Sequence, residues 1–302
     1  MYDIIVVGGG PAGLTAAIYA RRANKSALVL EKETFGGQIT HSPKVENIPG
    51  FTSLSGNEFA EKLVDQALAQ EVEVESVEVL EIVDNGKSKK VITDDGEYEA
   101  KAVIIATGAK HRTLGLEGEE KFIGNGISFC AVCDGAFYSG KTVAVIGGGN
   151  SALQEAIMLS DLCKKVIIVQ NLDFLTGEKK LVEQVNEKEN IQVILSSVVE
   201  YFVGEDELKG IVIKNIDGRK SEVYFDGLFI AIGLVPQNER FASLIGLDER
   251  GYANSQEDCK TKTEGIFVAG DCRKKGIRQV ATAVSDGAVA AVTACDYVDN
   301  LK

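Results

Sequence analysis

The sequence predicts an α/β protein of two Rossmann-like domains, doubly wound and three-layered, each built to bind a nucleotide, with the second inserted in the first. Two observations carry this: a glycine-rich loop between an apolar strand and a helix at the start of the chain, and a second copy near its middle with the same internal spacing. A third is the run Phe129-Cys130-Ala131-Val132-Cys133-Asp134-Gly135, which sets a cysteine pair beside an acid.

Residues 2–7 read as a short apolar strand, followed at once by Gly8-Gly9-Gly10-Pro11-Ala12-Gly13 and a helix-like run to Arg22. A second strand over 26–30 ends at Glu31. In this βαβ pattern Gly8 permits the tight turn, Gly10 lets backbone approach a pyrophosphate, and Gly13 lets helix pack on strand. Glu31 is placed to bind a ribose hydroxyl, and the helix N-terminus is an anion site. The arrangement returns at 141–146, with Gly147, Gly149 and Ala152 in the three special places, Asn150 and Ser151 between them, and a strand over 165–169 ending at Gln170. Two such loops in strand-turn-helix context predict two different cofactor sites. Residues 103–108 and 228–233 each read as a buried strand closing in a glycine turn, one per domain. Residues 265–271 read as a further strand with Asp271 at its carboxyl end, then a small-residue helix to Ala294; ligands of such sheets lie beyond the carboxyl ends, so Asp271 is a cofactor-contact candidate. This late segment pairs best with the first domain. The predicted domains are therefore residues 1–113 with 241–302, and an insertion over 114–240 that carries the cysteine pair.

A chain of 302 residues accommodates two domains, and its formal net charge of -13 argues against nonspecific binding of nucleic acid. No apolar run reaches membrane-spanning length, and residues 1–20 read as strand, turn and helix rather than a targeting peptide, so a cytoplasmic protein is expected. Two cysteines separated by two residues can close a small disulfide ring, and an adjacent carboxyl can exchange protons with the thiolate when it opens. A zinc site would need a second ligand pair, yet Cys163, Cys259, Cys272 and Cys295 are scattered singly and the histidines are His41 and His111; no metal site is expected. Those four cysteines read as buried small side chains, the histidines as surface or hydrogen-bonded groups, residues 117–121 as a solvated loop, and Tyr19, Phe35 and Phe51 as core.

Over nearly its whole length the chain resembles the low-molecular-weight, bacterial-type thioredoxin reductases. The matching runs are residues 8–13, Gly36-Gly37-Gln38, Glu46-Asn47-Ile48-Pro49-Gly50, Ala106-Thr107-Gly108, Cys130 to Asp134, residues 147–152, and Gly270-Asp271 with Arg278-Gln279-Val280. The resemblance implies FAD in the first domain, with Glu31 on the adenosine ribose, Gly37, Gln38 and Asn47 near the isoalloxazine, and Asp271, Arg278, Gln279 and Val280 along the ribityl chain and ring. Thr107 and Gly108 close the same site. It implies that Cys133 faces the flavin, that Cys130 attacks the disulfide of thioredoxin or a thioredoxin-like protein, and that Asp134 is the acid and base. It also implies a homodimer, and rotation of the second domain about hinges near residues 110–116 and 233–240.

The chain departs from that pattern after its second Gly-rich unit. Family members that use NADPH place a histidine, two arginines and, shortly after, another arginine around the 2′-phosphate; here those positions hold Gln170, Asn171, Leu172 and Thr176, and the nearest cations, Lys179 and Lys180, follow on a predicted helix. A phosphomonoester carries about 1.5 to 2 negative charges at neutral pH. Losing two charge-assisted contacts, each about 1.5 to 3 kcal/mol, lowers affinity by about two to four powers of ten. The expected donor is therefore not NADPH. NADH suits the intact loop and Gln170; alternatively the loop is inherited architecture and electrons enter from reduced ferredoxin, flavodoxin or a deazaflavin; or Lys179 and Lys180 bend back to the phosphate. The second function class is a redox-sensing flavoprotein without turnover, against which Asp134 and both cysteines speak.

Overall fold

The computed structural model describes residues 1–42 and 45–301. Strands β1 (Tyr2–Val7), β2 (Ala27–Glu31) and β3 (Glu73–Ser76) lie parallel, joined through helices α1 (Pro11–Arg22) and α2 (Gly56–Ala69). The second helix starts where it does because Ser55 and Glu58 form a reciprocal capping box. An antiparallel meander of β4 (Val79–Asp84), β5 (Lys89–Thr93) and β6 (Glu97–Ile105) follows, and β6 turns back to lie parallel against β1. Alternation along β1 sends Ile4 and Val6 into the layer that holds Leu14 and Ile18, and Ile5 and Val7 into the opposite one. Burial on both faces is why the strand reads as an unbroken apolar run.

A short strand, β7 (Ala109–His111), leads out of this unit. The second unit opens with α3 (Glu119–Phe122), β8 (Ile127–Ser128) and α4 (Ala131–Asp134). It then repeats the first motif as β9 (Thr142–Ile146), α5 (Asn150–Leu162), β10 (Lys165–Val169), α6 (Lys179–Glu187) and β11 (Ile191–Ile194). A meander of β12 (Ser197–Gly204), β13 (Leu208–Asn215) and β14 (Lys220–Tyr224) precedes β15 (Gly227–Ile230), which completes a parallel sheet of order β11-β10-β9-β15-β8. The duplication thus extends beyond the glycine loops to the meander and the returning strand.

The chain leaves the second unit through β16 (Leu234–Pro236), which pairs with β7, and continues through α7 (Ala242–Ile245), β17 (Ile266–Val268) and α8 (Val280–Asn300). β17 adds to β6 in parallel, and α8 packs on α1. Compact packing divides the chain into Met1–Lys110 with Val235–Lys302, and His111–Leu234. No helix among the described residues is long and apolar enough to cross a membrane.

Several local expectations are corrected. The strand expected over 265–271 ends at Val268, because Gly270 takes φ +79° and starts a single 3-10 turn that contains Asp271. The last helix runs to Asn300 instead of stopping at Ala294, since Cys295 and Val298 still face the core. Residues 117–121 are solvated except at Glu119, which opens the short helix α3, is 4% exposed, and whose carboxylate accepts the N–H groups of Leu114 and Gly115 at 2.8 Å each. Tyr19 and Phe51 are exposed rather than core, whereas Phe35 packs partly buried against the first layer. Cys163, Cys259, Cys272 and Cys295 are buried free thiols.

Candidate active site

In the first unit the loop between β1 and α1 has the shape its glycines require. Gly8 sits at φ +111°, and a Cβ there would lie 2.4 Å from the Ala106 carbonyl oxygen; one at Gly13 would lie 1.9 Å from that of Gly8. Helix α1 begins with Pro11 after Gly10 and has no side-chain cap, so its first N–H groups stay directed at the loop mouth, beside Ala12. The Glu31 carboxylate is already engaged: Oε2 accepts the Gly9 N–H at 2.6 Å and Oε1 that of Glu33 at 2.8 Å. Those bonds fix a carboxylate at the end of β2.

The other residues expected around a flavin converge within the same unit. Gly37 and Gln38 open a 3-10 turn, and the Asn47 amide donates to Gln279 Oε1 at 3.1 Å, bringing two of them into contact across a long stretch of sequence. Thr107 donates to Asn238 Oδ1 at 3.4 Å, and Gly108 follows at φ +68°. Arg278 does not extend freely. Its guanidinium donates to the carbonyls of Asp271, Arg273 and Lys275 and lies 4.1 Å over the Tyr252 ring, so it braces the turn that carries Asp271 just ahead of Val280 at the start of α8.

Asp271 itself has a buried oxygen, Oδ1, that receives no hydrogen bond of good geometry, although the Lys275 ammonium stands 3.4 Å away. Burial pushes this carboxyl up, and Lys275 offsets part of the shift. An unsatisfied acceptor at the carboxyl end of the parallel sheet fits a ligand hydroxyl, as the polyol chain of FAD presents. Beneath it lies a charge cluster: Arg273 pairs with Asp286 at 2.8 Å, Lys275 reaches the same aspartate at 3.1 Å, and Asp286 accepts the Gly270 N–H at 3.0 Å. Asn238, fully buried, donates to the carbonyls of Gly251 and Cys272. Sequence reasoning missed Asn238, Arg273 and Asp286; an aspartate within the apolar, small-residue first half of the last helix was the available signal.

In the second unit Cys130 and Cys133 are joined as a disulfide with Cα atoms 5.3 Å apart. Cys130 is the N-cap of α4, and the Cys133 N–H donates to its Sγ at 3.2 Å. A donor aimed at that sulfur favours its thiolate. Asp134 Oδ2 accepts the Ser128 hydroxyl at 2.6 Å, and Ser128 Oγ accepts the Cys130 N–H at 3.1 Å; Asp134 Oδ1 is buried and takes no hydrogen bond. Burial raises the Asp134 carboxyl, with the Ser128 bond pulling the other way. His111 corrects its own expectation: it stacks on Phe129, ring centroids 4.7 Å apart, and burial lowers its imidazole to about 4, which keeps it neutral. His41 is exposed.

The second glycine loop mirrors the first. Gly147 takes φ +128°, α5 begins without a side-chain cap after Gly149, and Gly148 O accepts the N–H groups of Thr176 and Gly177, as Gly9 O accepts that of Gly36. Gln170 occupies the place of Glu31, its amide laid against Gly148. Asn150 exchanges two hydrogen bonds with Glu178, Ser151 is exposed, and Ala152 is buried in the core. The segment after Gln170 is without cations: Leu172 and Phe174 are exposed, and Lys179 is almost fully solvated, 3.8 Å from Glu183. Among the described residues no cluster of three or more His, Cys, Asp or Glu is placed to hold a metal ion.

Comparison with known proteins agrees with this architecture. The profile of the family described as pyridine nucleotide-disulphide oxidoreductase matches residues 2–287. The chain is 43% identical over 298 residues to a 34.2 kDa protein in the rubredoxin operon of Clostridium pasteurianum, covering 98% of this chain and 97% of that one. It is 40% identical over 304 residues to thioredoxin reductase of Bacillus subtilis, covering 100% and 96%. Among solved structures, thioredoxin reductase of Streptococcus pyogenes superposes with a TM-score of 0.95 at 40% identity, covering 99% and 98% of the two chains. FAD and a nicotinamide nucleotide are the cofactors that this kinship implies. The chain is an oxidoreductase of the pyridine nucleotide-disulphide oxidoreductase family and belongs to its low-molecular-weight thioredoxin reductases.

Proposed function

We propose that the protein reduces the disulfide of thioredoxin or a thioredoxin-like protein, drawing electrons through bound FAD from a donor other than NADPH. The observation that carries the reading is the Cys130–Cys133 disulfide with a backbone donor on the Cys130 sulfur and the half-satisfied Asp134 carboxyl beside it. FAD, when bound, supplies an electron pair. Its residues are those of the first loop (Gly8, Gly10, Pro11, Ala12, Gly13), Glu31 at the ribose, and Gly37, Gln38, Asn47, Thr107, Gly108, Asp271, Arg278, Gln279 and Val280 around the ribityl chain and ring.

Two electrons and two protons open the disulfide to a pair of thiols, with Cys133 toward the flavin and Cys130 toward the partner. Asp134 takes the proton from Cys130, and the thiolate attacks the partner disulfide to form a mixed disulfide. Cys133 then attacks Cys130, restoring the intramolecular disulfide, and the partner departs as a dithiol once its released sulfur is protonated.

The donor assignment rests on the loop after Gln170, which offers Asn171, Leu172 and Thr176 where a 2′-phosphate needs cations. Lys179 is almost fully solvated and stands 3.8 Å from Glu183. NADH would use Gly147, Gly149, Asn150, Ser151, Ala152 and Gln170; reduced ferredoxin, flavodoxin or a deazaflavin would bypass them. The protein acts in the cytoplasm as a homodimer. Mixing the yellow holoprotein anaerobically with NADPH, NADH, reduced ferredoxin, reduced flavodoxin and reduced deazaflavin in turn tests the donor. Bleaching by NADPH at micromolar concentration overturns that assignment, and undiminished thioredoxin reduction in C130S or C133S overturns the reaction.

A further inference from the structure

A second buried acid supports α4 and has no part in the steps above. Glu155 stands midway along α5, next to Ala156 and one turn from Ala152, both of which share a core layer with Ala131. The Ala131 N–H, an amide two bonds from the Cys130 Cα, acts on its carboxyl and favours the ionised form, against the larger effect of burial. The other oxygen, Oε2, is buried and takes no hydrogen bond. Of the elements packed on α5, α4 presents Asp134 and the two cysteines, and the 3-10 turn Gly135–Tyr138 presents Tyr138. From β10 comes Lys165, which is exposed, and from α6 Lys179, Lys180, Glu183 and Glu187. Among the described residues no cation pairs with Glu155.

We propose that Glu155 is a positioning residue of the cysteine pair, whose carboxyl takes up a proton when the disulfide opens and returns it when the disulfide closes. Opening places a thiolate beside a carboxylate that has no counter-ion, and two like charges in one buried site are relieved when the carboxylate binds a proton. With a dithiol as reductant the step balances. The S–S bond breaks and both electrons go to the sulfurs; above pH 7 the Cys130 thiol then gives up its proton while no partner is bound, so the two protons of the dithiol end on the Cys133 sulfur and on Glu155, with Cys130 as thiolate. Burial already holds this carboxyl at about 7, so little further stabilisation of its acid form is needed near neutral pH.

The inference rests on the proposed function. Holoprotein is equilibrated in dithiothreitol redox buffers from pH 6 to 9, quenched in acid, and its thiols at 130 and 133 counted by alkylation and mass. E155Q keeps the size and shape of the side chain but cannot titrate. Above pH 7 the potential of the parent falls more steeply than that of E155Q, by up to tenfold in the equilibrium constant, about 30 mV, per pH unit. Parallel lines overturn the proposal. Should E155Q not fold, infrared difference spectra decide on the parent: reduction at pH 8 generates a protonated-carboxyl C=O band that persists in D134N, and absence of that band overturns the proposal. A pair that no dithiol opens overturns the functional reading itself.

Discussion

At the scale of single residues, burial decides which acids hold a proton more firmly than free carboxylates do. Asp134 and Glu155 each keep one buried oxygen without a hydrogen bond, and burial is the first cause of the upward shift in both. Because the native carboxyl of Glu155 titrates above its unfolded value, its stabilising contribution is complete below the unfolded pKa of 4.5 and is lost as pH rises to about 7. That shift corresponds to about 3 kcal/mol. E155Q should therefore be more stable than the parent at pH 8 and gain nothing at pH 4.5, measured as the difference in Tm at each pH; an equal difference at both would exclude this titration. For Asp134 the same sign makes the carboxyl a better proton holder than free aspartate, so D134N should slow thioredoxin reduction by about 10² to 10⁴-fold. Flavin content should stay at one per chain. The Arg273–Asp286 pair is a different case, both side chains being nearly buried. D286A strands the guanidinium and frees the Gly270 N–H, and should cost about 3 to 5 kcal/mol in thermal unfolding.

At the scale of elements, what could be read from sequence was local. Glycines at fixed offsets between an apolar strand and a helix identified both dinucleotide loops, since Gly8 and Gly147 adopt backbone angles that other residues avoid. Short unbroken apolar runs closed by glycine turns identified β1, β9, β15 and the last three residues of β6. What stayed hidden depends on partners distant in sequence: Asn238 is defined by the carbonyls of Gly251 and Cys272, and His111 by the face of Phe129. Glu119 is a short-range failure, for a charged run looks solvated until its turn closes around one carboxylate. The β10–α6 loop is where local sequence speaks most directly to chemistry. Restoring two arginines there, N171R with L172R, should raise NADPH affinity by about two to four powers of ten at about 1.5 to 3 kcal/mol per contact. NADH binding should hardly change. Equal gains for the two nucleotides, measured by KM, would show that 2′-phosphate charge is not the discriminating feature.

At the scale of the whole molecule, one βαβ-plus-meander plan is used twice and the copies have been given different work. The first copy has Glu31 at the end of β2 and brings Asn47 onto Gln279; the second keeps a glycine loop, carries exposed Leu172 and Phe174 after Gln170, and adds the cysteine helix. The net charge of -13 acts over the entire surface and bears on how electrons arrive. At low salt, with a screening length of about 30 Å at 0.01 M, an acidic carrier such as ferredoxin approaches a like-charged field. Its rate of reducing the holoprotein should therefore rise several-fold between 10 and 150 mM salt, as screening removes the repulsion. Reduction by a small nucleotide, with its few charges, should vary far less. Stopped-flow measurement of flavin bleaching against ionic strength separates the two, and a ferredoxin rate that falls with salt would mean that a local basic patch, not the overall field, receives the donor.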